Sequence, residues 1–107
     1  MPVILDRNKR NRVLRAQRLA IAKSKGTHSK LQFESLKKSC GNICVICNGS
    51  SGLLNLERDH IIPLYQGGSD AIENIQPVCA KCNSSKGHDS TDYRPIGWER
   101  DYALLQA

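Results

Sequence analysis

The sequence predicts a small α+β domain that is held together by a metal site, and three observations lead to this prediction. The chain has 107 residues, of which 39% are hydrophobic and 5% aromatic, so one domain with a thin core is expected. Two Cys-x-x-Cys pairs are separated by 31 intervening residues, and a metal bound by them could stabilise such a core. Segments with helical periodicity flank a segment that alternates like a strand.

Two helices are expected in the first part of the chain. Residues 11–25 mix arginine with aliphatic side chains, a composition compatible with a basic helix, and Gly26 interrupts this segment. The motif Ser29-Lys30-Leu31-Gln32 matches a capping box, and apolar residues then recur at helical spacing. A second helix is therefore predicted from about Ser29 to Ser39.

Two short strands and a third helix are expected next. Leucines alternate with polar side chains over residues 53–60, as in a half-buried strand. A loop with proline and glycine, residues 61–74, leads to a second strand around residues 75–78. A helix from about Cys79 to Lys86 follows, and Gly87 ends it.

Positive charge is concentrated at the N-terminus. Residues 1–25 hold eight basic side chains against one acidic residue, a net charge of +7, whereas the remainder has a net charge of −1. We divide the chain into a basic arm (1–28), a folded domain (29–90) and a C-terminal tail (91–107) that packs on the domain. The arm would attract a polyanion such as DNA, although a solvated disordered tail is the alternative. The side chains of the arm expected to contact nucleic acid are Arg10, Arg12, Arg15 and Arg18.

No targeting or membrane segment is expected from the sequence. The first seven residues lack the apolar core of a signal peptide, and no apolar run approaches the length of a membrane span. We therefore expect a cytoplasmic protein without a membrane partner. In a reducing compartment, paired cysteines are more plausible as metal ligands than as disulfides.

The paired cysteines predict a structural Zn²⁺ site. Cys44 and Cys47 form one pair, and Cys79 and Cys82 form the other, so that four thiolates are available for tetrahedral zinc. Two disulfides or four separate buried thiols are the alternative. Cys40 lies on the apolar side of the preceding helix and is interpreted as a buried free thiol rather than a fifth ligand.

A series of motifs resembles a known family. The motifs are Cys-x-x-Cys, Asp-His-Ile-Ile-Pro-Leu, Gly-Gly, Glu-Asn-Ile-Gln-Pro-Val-Cys and Lys-Cys-Asn-Ser-Ser-Lys-Gly. Together they resemble the HNH endonuclease family over roughly Leu31 to Gly87, and the series is more specific than any single motif. The resemblance implies a ββα-metal, treble-clef-like core stapled by a four-cysteine zinc site, and hydrolysis of DNA phosphodiester bonds.

The resemblance also implies a role for each matching residue. Asp59 would bind a catalytic divalent metal, and His60 would be the general base that activates water. Asn74 would brace the loop and orient the histidine. Asn83 stands at the third motif position, which is often histidine in the family, and would be the second metal ligand. This departure leaves the preferred metal open.

The chemistry of these residues suits phosphodiester hydrolysis. Two oxygen ligands favour Mg²⁺ or Mn²⁺, with other divalent metals possible, and a neutral imidazole with a pKa near ~6.5 can accept a proton. Lys86 shares a helix face with Asn83, and Arg58 precedes the catalytic pair. Both are expected to contact nucleic acid, with a solvated side chain as an equally weighted alternative. His28 and His88 have no paired ligand partner and are expected at the surface.

Two classes of function are compatible with the motifs. The first is a metal-dependent DNA endonuclease, a monomer or homodimer that nicks or cuts DNA in a bacterial or phage context. The second is a non-catalytic zinc-stabilised module that binds nucleic acid. Such a module would need its four cysteines but would have no use for Asp59, His60 and Asn83 in this arrangement. Their presence favours the enzyme.

Overall fold

The computed structural model describes residues 7–49 and 55–106. The described residues form four α-helices, α1 (Arg7–Ser24), α2 (Lys30–Ser39), α3 (Ala80–Lys86) and α4 (Trp98–Gln106), and two strands, β1 (Leu56–His60) and β2 (Ile75–Cys79). The first residues of the expected first strand, 53 and 54, lie outside the described residues. The consecutive elements β1, β2 and α3 form a ββα unit, so the predicted small α+β fold is confirmed.

The second helix begins with the capping box that the sequence predicts. Ser29 Oγ accepts a hydrogen bond from the backbone N–H of Gln32 at 3.0 Å, and Gln32 Oε1 accepts one from the N–H of Ser29 at 2.7 Å. Because Phe33 and Leu36 recur at helical spacing, one face of α2 is buried. Cys40 follows on the same face as a buried free thiol, as expected.

The two strands form an antiparallel hairpin. In its register Leu56 lies opposite Cys79, and His60 lies opposite Ile75. Every residue of β2 is buried, whereas β1 has exposed positions. The hairpin therefore lies between the core and a polar surface. The core residues are Phe33, Leu36, Cys40, Cys44, Val45, Ile72, Ile75, Val78, Cys79 and Trp98.

The loop between the strands, residues 61–74, is closed by Asn74. The Asn74 side chain accepts a hydrogen bond from the N–H of Ile62 at 2.9 Å, and it donates to the carbonyls of Ile62 and Ser69 at 3.1 and 2.8 Å. A Cβ atom at Gly68 would lie 1.8 Å from the Ile62 carbonyl oxygen. Only glycine fits here, because the middle of the loop passes so close to the backbone of Ile62.

The first helix joins the body near its C-terminal end. Ala22 is buried, and its carbonyl accepts a hydrogen bond from the N–H of Asp70 at 3.3 Å. Lys25 Nζ donates to the Gly67 carbonyl at 3.0 Å. The preceding turns of α1 are exposed, including Arg10, Arg12, Arg15 and Arg18.

The C-terminal helix α4 packs against α2. Trp98 is buried in the core, and the Arg94 guanidinium lies 4.1 Å from the centroid of its indole ring. Trp98 is thus a packing residue. Within residues 7–49 and 55–106, no helix combines the length and hydrophobicity that crossing a bilayer requires.

Candidate metal centre and catalytic cleft

The first candidate site is a cluster of four cysteines at one end of the hairpin. The Sγ atoms of Cys44, Cys47, Cys79 and Cys82 all lie within 4.8 Å of one another, and those of Cys47 and Cys79 are 3.9 Å apart. Tetrahedral zinc with Zn–S bonds of ~2.3 Å places its sulfurs roughly 3.8 Å apart. All five cysteines are free thiols. The cluster predicted from the spacing is present, and its donor set fits zinc.

The backbone around the cluster supports thiolates. The N–H of Cys47 points to Cys44 Sγ, and the N–H of Cys82 points to Cys79 Sγ, both at 3.5 Å. Burial raises the pKa of the Cys44 thiol, but hydrogen bonds from backbone N–H groups outweigh this effect and lower the pKa to about 7. The hydrogen bond with Cys79, together with burial, raises the pKa of Cys82 to about 12. A cation bound by all four sulfurs would favour the thiolate form of each cysteine.

The second candidate site is a cleft of about 250 Å³ at the opposite end of the hairpin. It is lined by Arg58, Asp59, His60, Pro63, Leu64, Asn83, Lys86 and Gly87. Strand β1 supplies Asp59 and His60, and α3 runs back along the hairpin to supply Asn83. The cleft therefore brings together the predicted base and both predicted metal ligands.

Asp59 is nearly buried, with 7% of its surface exposed. Its Oδ2 accepts hydrogen bonds from Gln76 Nε2 and Lys86 Nζ, both at 2.9 Å. Lys86 also lies 3.3 Å from the carbonyl oxygens of His60 and Ile61, and only 3% of its side chain is exposed. Lys86 is therefore enclosed and ion-paired, which contradicts the alternative of a solvated side chain. Its predicted contact with a phosphate stays a prediction, and it would require the ammonium to leave Asp59.

Two oxygen atoms in the cleft fit a hard divalent cation. Asn83 Nδ2 donates to Glu57 Oε1 at 2.9 Å, an orientation in which the amide oxygen is the atom that could bind a metal. Both hydrogen bonds that Asp59 accepts from described residues go to Oδ2, so Oδ1 is the carboxylate oxygen that could do the same. Carboxylate and amide oxygens are ligands that Mg²⁺ and Mn²⁺ accept.

His60 contacts a residue that the sequence reasoning missed. Its Nε2 lies 2.8 Å from Asp70 Oδ1, and 21% of the imidazole side chain is exposed. The side-chain hydrogen bonds of Asn74 go to Ile62 and Ser69 and brace the loop. Its predicted orienting effect on the imidazole would act through this loop and stays a prediction. The sequence offered one signal for Asp70, since it is an acidic residue in the loop between His60 and Asn74.

Arg58 lines the cleft, but its guanidinium also has partners within the protein. It lies 4.5 Å from the Phe33 ring centroid, and Nε donates to His28 Nε2 at 2.8 Å. The expectation that His28 lies at the surface is wrong, since 4% of its side chain is exposed. His88 is exposed, as expected, and contacts the Tyr65 hydroxyl.

Comparison with known proteins finds a family resemblance in the segment that contains both candidate sites. Residues 44–93 match the family model of the HNH endonucleases. The chain is also 41% identical, over 46 residues, to the CRISPR-associated endonuclease Cas9 of Corynebacterium diphtheriae. This match covers 42% of the chain but 4% of the Cas9 sequence, so the chain spans a small part of that relative. No solved structure matches the chain significantly. The predicted resemblance to the HNH endonuclease family is confirmed over residues 44–93, which contain both sites.

Proposed function

We propose that the chain carries a metal-dependent DNA endonuclease centre whose fold is held by zinc on Cys44, Cys47, Cys79 and Cys82. The observation that carries the proposal is the cleft that His60 lines together with two side chains that carry oxygen donors, Asp59 and Asn83. The match of the surrounding segment to the HNH endonucleases supports the same reaction class.

His60 is the proposed general base. Its Nε2 is engaged with Asp70, so Nδ1 is the nitrogen that would take a proton from water. The water oxygen would then bond to phosphorus while the bond from phosphorus to the leaving sugar oxygen breaks. A divalent metal, Mg²⁺ or Mn²⁺, held by Asp59 and Asn83 would neutralise charge on the phosphate and on the leaving oxygen.

DNA is the proposed partner, and the basic helix α1 is its proposed docking segment. Arg10, Arg12, Arg15 and Arg18 are exposed along this helix, where they could contact phosphates without reading sequence. Arg58 at the cleft could contribute a further contact. A monomer would nick one strand, and a homodimer would cut both.

A non-catalytic, zinc-stabilised nucleic-acid-binding module is the second candidate function. The ion pair between Asp59 and Lys86 favours it, because the ammonium already compensates the carboxylate that a catalytic metal would need. In that case the same chain would bind DNA without cutting it.

Plasmid cleavage tests the two candidates directly. Supercoiled plasmid is incubated with the purified protein in EDTA or in Mg²⁺, Mn²⁺, Ni²⁺ or Zn²⁺, with His60→Ala protein purified in parallel to reveal contaminating nuclease. Nicked or linear DNA with Mg²⁺ or Mn²⁺, and none with EDTA, is the expected result. DNA binding without cleavage in any metal would support the zinc module instead.

A further inference from the structure

We infer that Asp70 is a positioning residue for His60, and that residues 22–28, the end of α1 and the segment that follows it, hold Asp70 in place. The inference rests on the proposed function, because it assigns a role in the same catalytic cleft. It is carried by a chain of hydrogen bonds from the basic arm to the imidazole.

The contact between Asp70 and His60 selects one nitrogen of the imidazole as the base. Asp70 is 6% exposed, and its Oδ1 lies 2.8 Å from His60 Nε2. A carboxylate has only acceptors to offer, so this hydrogen bond requires the proton of a neutral imidazole to be on Nε2. Nδ1 is then unprotonated and can accept the proton of a water molecule. Asp70 would thus fix both the tautomer and the orientation of the ring.

Asp70 remains a carboxylate in this environment. Burial raises its pKa, but the hydrogen bonds with His60 and Thr27 outweigh this effect and hold the pKa below its ordinary value. The group can therefore serve as an acceptor throughout the neutral range. A protonated Asp70 could not hold His60 and Thr27 in the same way, because one of its oxygens would be a donor.

The C-terminal end of α1 and the segment between α1 and α2 bind the remaining groups of Asp70. Thr27 Oγ1 donates to Oδ2 at 2.8 Å, His28 Nδ1 donates to the backbone carbonyl at 2.7 Å, and the Asp70 N–H donates to Ala22 at 3.3 Å. Since His28 donates through Nδ1, its Nε2 can accept the 2.8 Å hydrogen bond from Arg58. The side chain, carbonyl and N–H of Asp70 are all fixed by residues outside the HNH-matching segment, apart from the contact to His60 itself.

This arrangement divides the arm into two functional parts. The exposed arginines of α1 would supply affinity for DNA, whereas residues 22–28 would support the catalytic histidine. Substitutions in the first part should change DNA binding. Substitutions in the second part should change the rate at saturating DNA.

The kinetic test compares Asp70→Ala, Asp70→Asn and Thr27→Val with wild type, using Asp101→Asn, an exposed carboxylate on α4, as the control. Loss of a partner that orients a metal-binding histidine typically costs about 10–100-fold, and we take this range for a histidine that acts as a base. We expect a loss of that size in kcat for Asp70→Ala, with KM and DNA affinity changed by less than about twofold. Asp70→Asn should lose at least as much, because its amide N–H can donate to Nε2 and favour the tautomer with the proton on Nδ1. Thr27→Val keeps its shape and leaves Asp70 in place, so it should lose less. Zinc content and Tm establish that each variant is folded.

An NMR measurement separates this inference from the proposed function. Wild-type protein should show a protected imidazole N–H resonance that disappears in His60→Ala. The resonance should also disappear in Asp70→Ala and persist in Asp101→Asn. Its persistence in Asp70→Ala, or a folded Asp70→Ala protein with wild-type kcat, would overturn the positioning role. A wild-type protein that shows the resonance but cuts no DNA would instead overturn the proposed function.

Discussion

The two ends of the β-hairpin hold sites of opposite construction. Where Leu56 pairs with Cys79, four sulfurs converge and the backbone of their own turns supports them. Where His60 pairs with Ile75, oxygen and nitrogen groups line a cleft, and their partners come from distant segments. A closed sulfur site contributes folding energy, whereas an open polar site leaves room for substrate. Damage to the first should abolish the fold, and damage to the second should abolish chemistry.

The largest effect on stability is expected at the end of the hairpin that holds the four cysteines. Cys47 is exposed, so Cys47→Ser removes a ligand with little change in packing. Structural zinc sites in small domains contribute about 10–16 kcal/mol of apparent binding free energy at neutral pH, so losing the metal should abolish cooperative unfolding. Metal analysis should fall well below one zinc per chain, and the thermal transition should disappear. A folded Cys47→Ser protein without zinc would show that the cluster does not hold the fold.

A smaller but substantial effect is expected from Asp59. Asp59→Asn leaves the Lys86 ammonium without its anion in a setting where 3% of that side chain is exposed. Breaking a buried ion pair in this way typically destabilises a protein by about 3–5 kcal/mol. Urea unfolding measures the change, and Asp59→Asn combined with Lys86→Met should recover much of the stability without restoring cleavage. An unchanged free energy of unfolding in Asp59→Asn would mean that the pair contributes nothing to the fold.

The cysteine cluster could be predicted because the residues of each Cys-x-x-Cys pair are close together in the sequence. Within each pair, Cys44 with Cys47 and Cys79 with Cys82, the two cysteines are close in space because they are three positions apart. Only the contact between the two pairs depends on the fold. The capping box at Ser29 is local in the same sense. Such features follow from residues three or four positions apart, and the structure contains them as expected.

The partners in the cleft could not be predicted in this way. The hydrogen bonds from Thr27 to Asp70 and from Arg58 to His28 join residues 43 and 30 positions apart. The pairing of Lys86 with Asp59 likewise depends on how α3 folds back along the hairpin. His28 looked like a surface residue because no neighbour in sequence indicates that it is enclosed. The sequence indicates which groups carry chemistry, but the fold determines what each one contacts.

A moderate effect, confined to binding, is expected from the arm. Changing Arg10, Arg12, Arg15 and Arg18 together to Gln should weaken DNA binding, because each phosphate contact contributes about 0.9 to the slope of log K against log salt. The slope should flatten by up to roughly 3–4 if all four contact phosphates. Lys38→Gln with Arg100→Gln, both exposed on the body, is the control. An unchanged slope in the arm variant would exclude these arginines as phosphate contacts.

The smallest effect is expected at Cys40. Burial raises the pKa of its thiol to about 11, so roughly one thiol in a thousand is ionised at pH 8. Iodoacetamide should therefore leave Cys40 unmodified in the folded, zinc-loaded protein, as mass spectrometry would show. Cys40→Ser should keep one zinc per chain, with a loss of stability of about 1–3 kcal/mol for the buried hydroxyl. Loss of zinc from this variant would make Cys40 part of the metal site.

The most direct test of the central claim is single-turnover cleavage of DNA by wild-type and His60→Ala proteins in Mg²⁺ or Mn²⁺. Both proteins should contain one zinc per chain and bind DNA equally, since the imidazole is 21% exposed and outside the cysteine cluster. The loss of a general base typically lowers the rate by about 10²–10⁴-fold, and added metal should not restore it. The account predicts cleavage by wild type and a loss of that size in the variant. Equal cleavage by folded His60→Ala protein would contradict it.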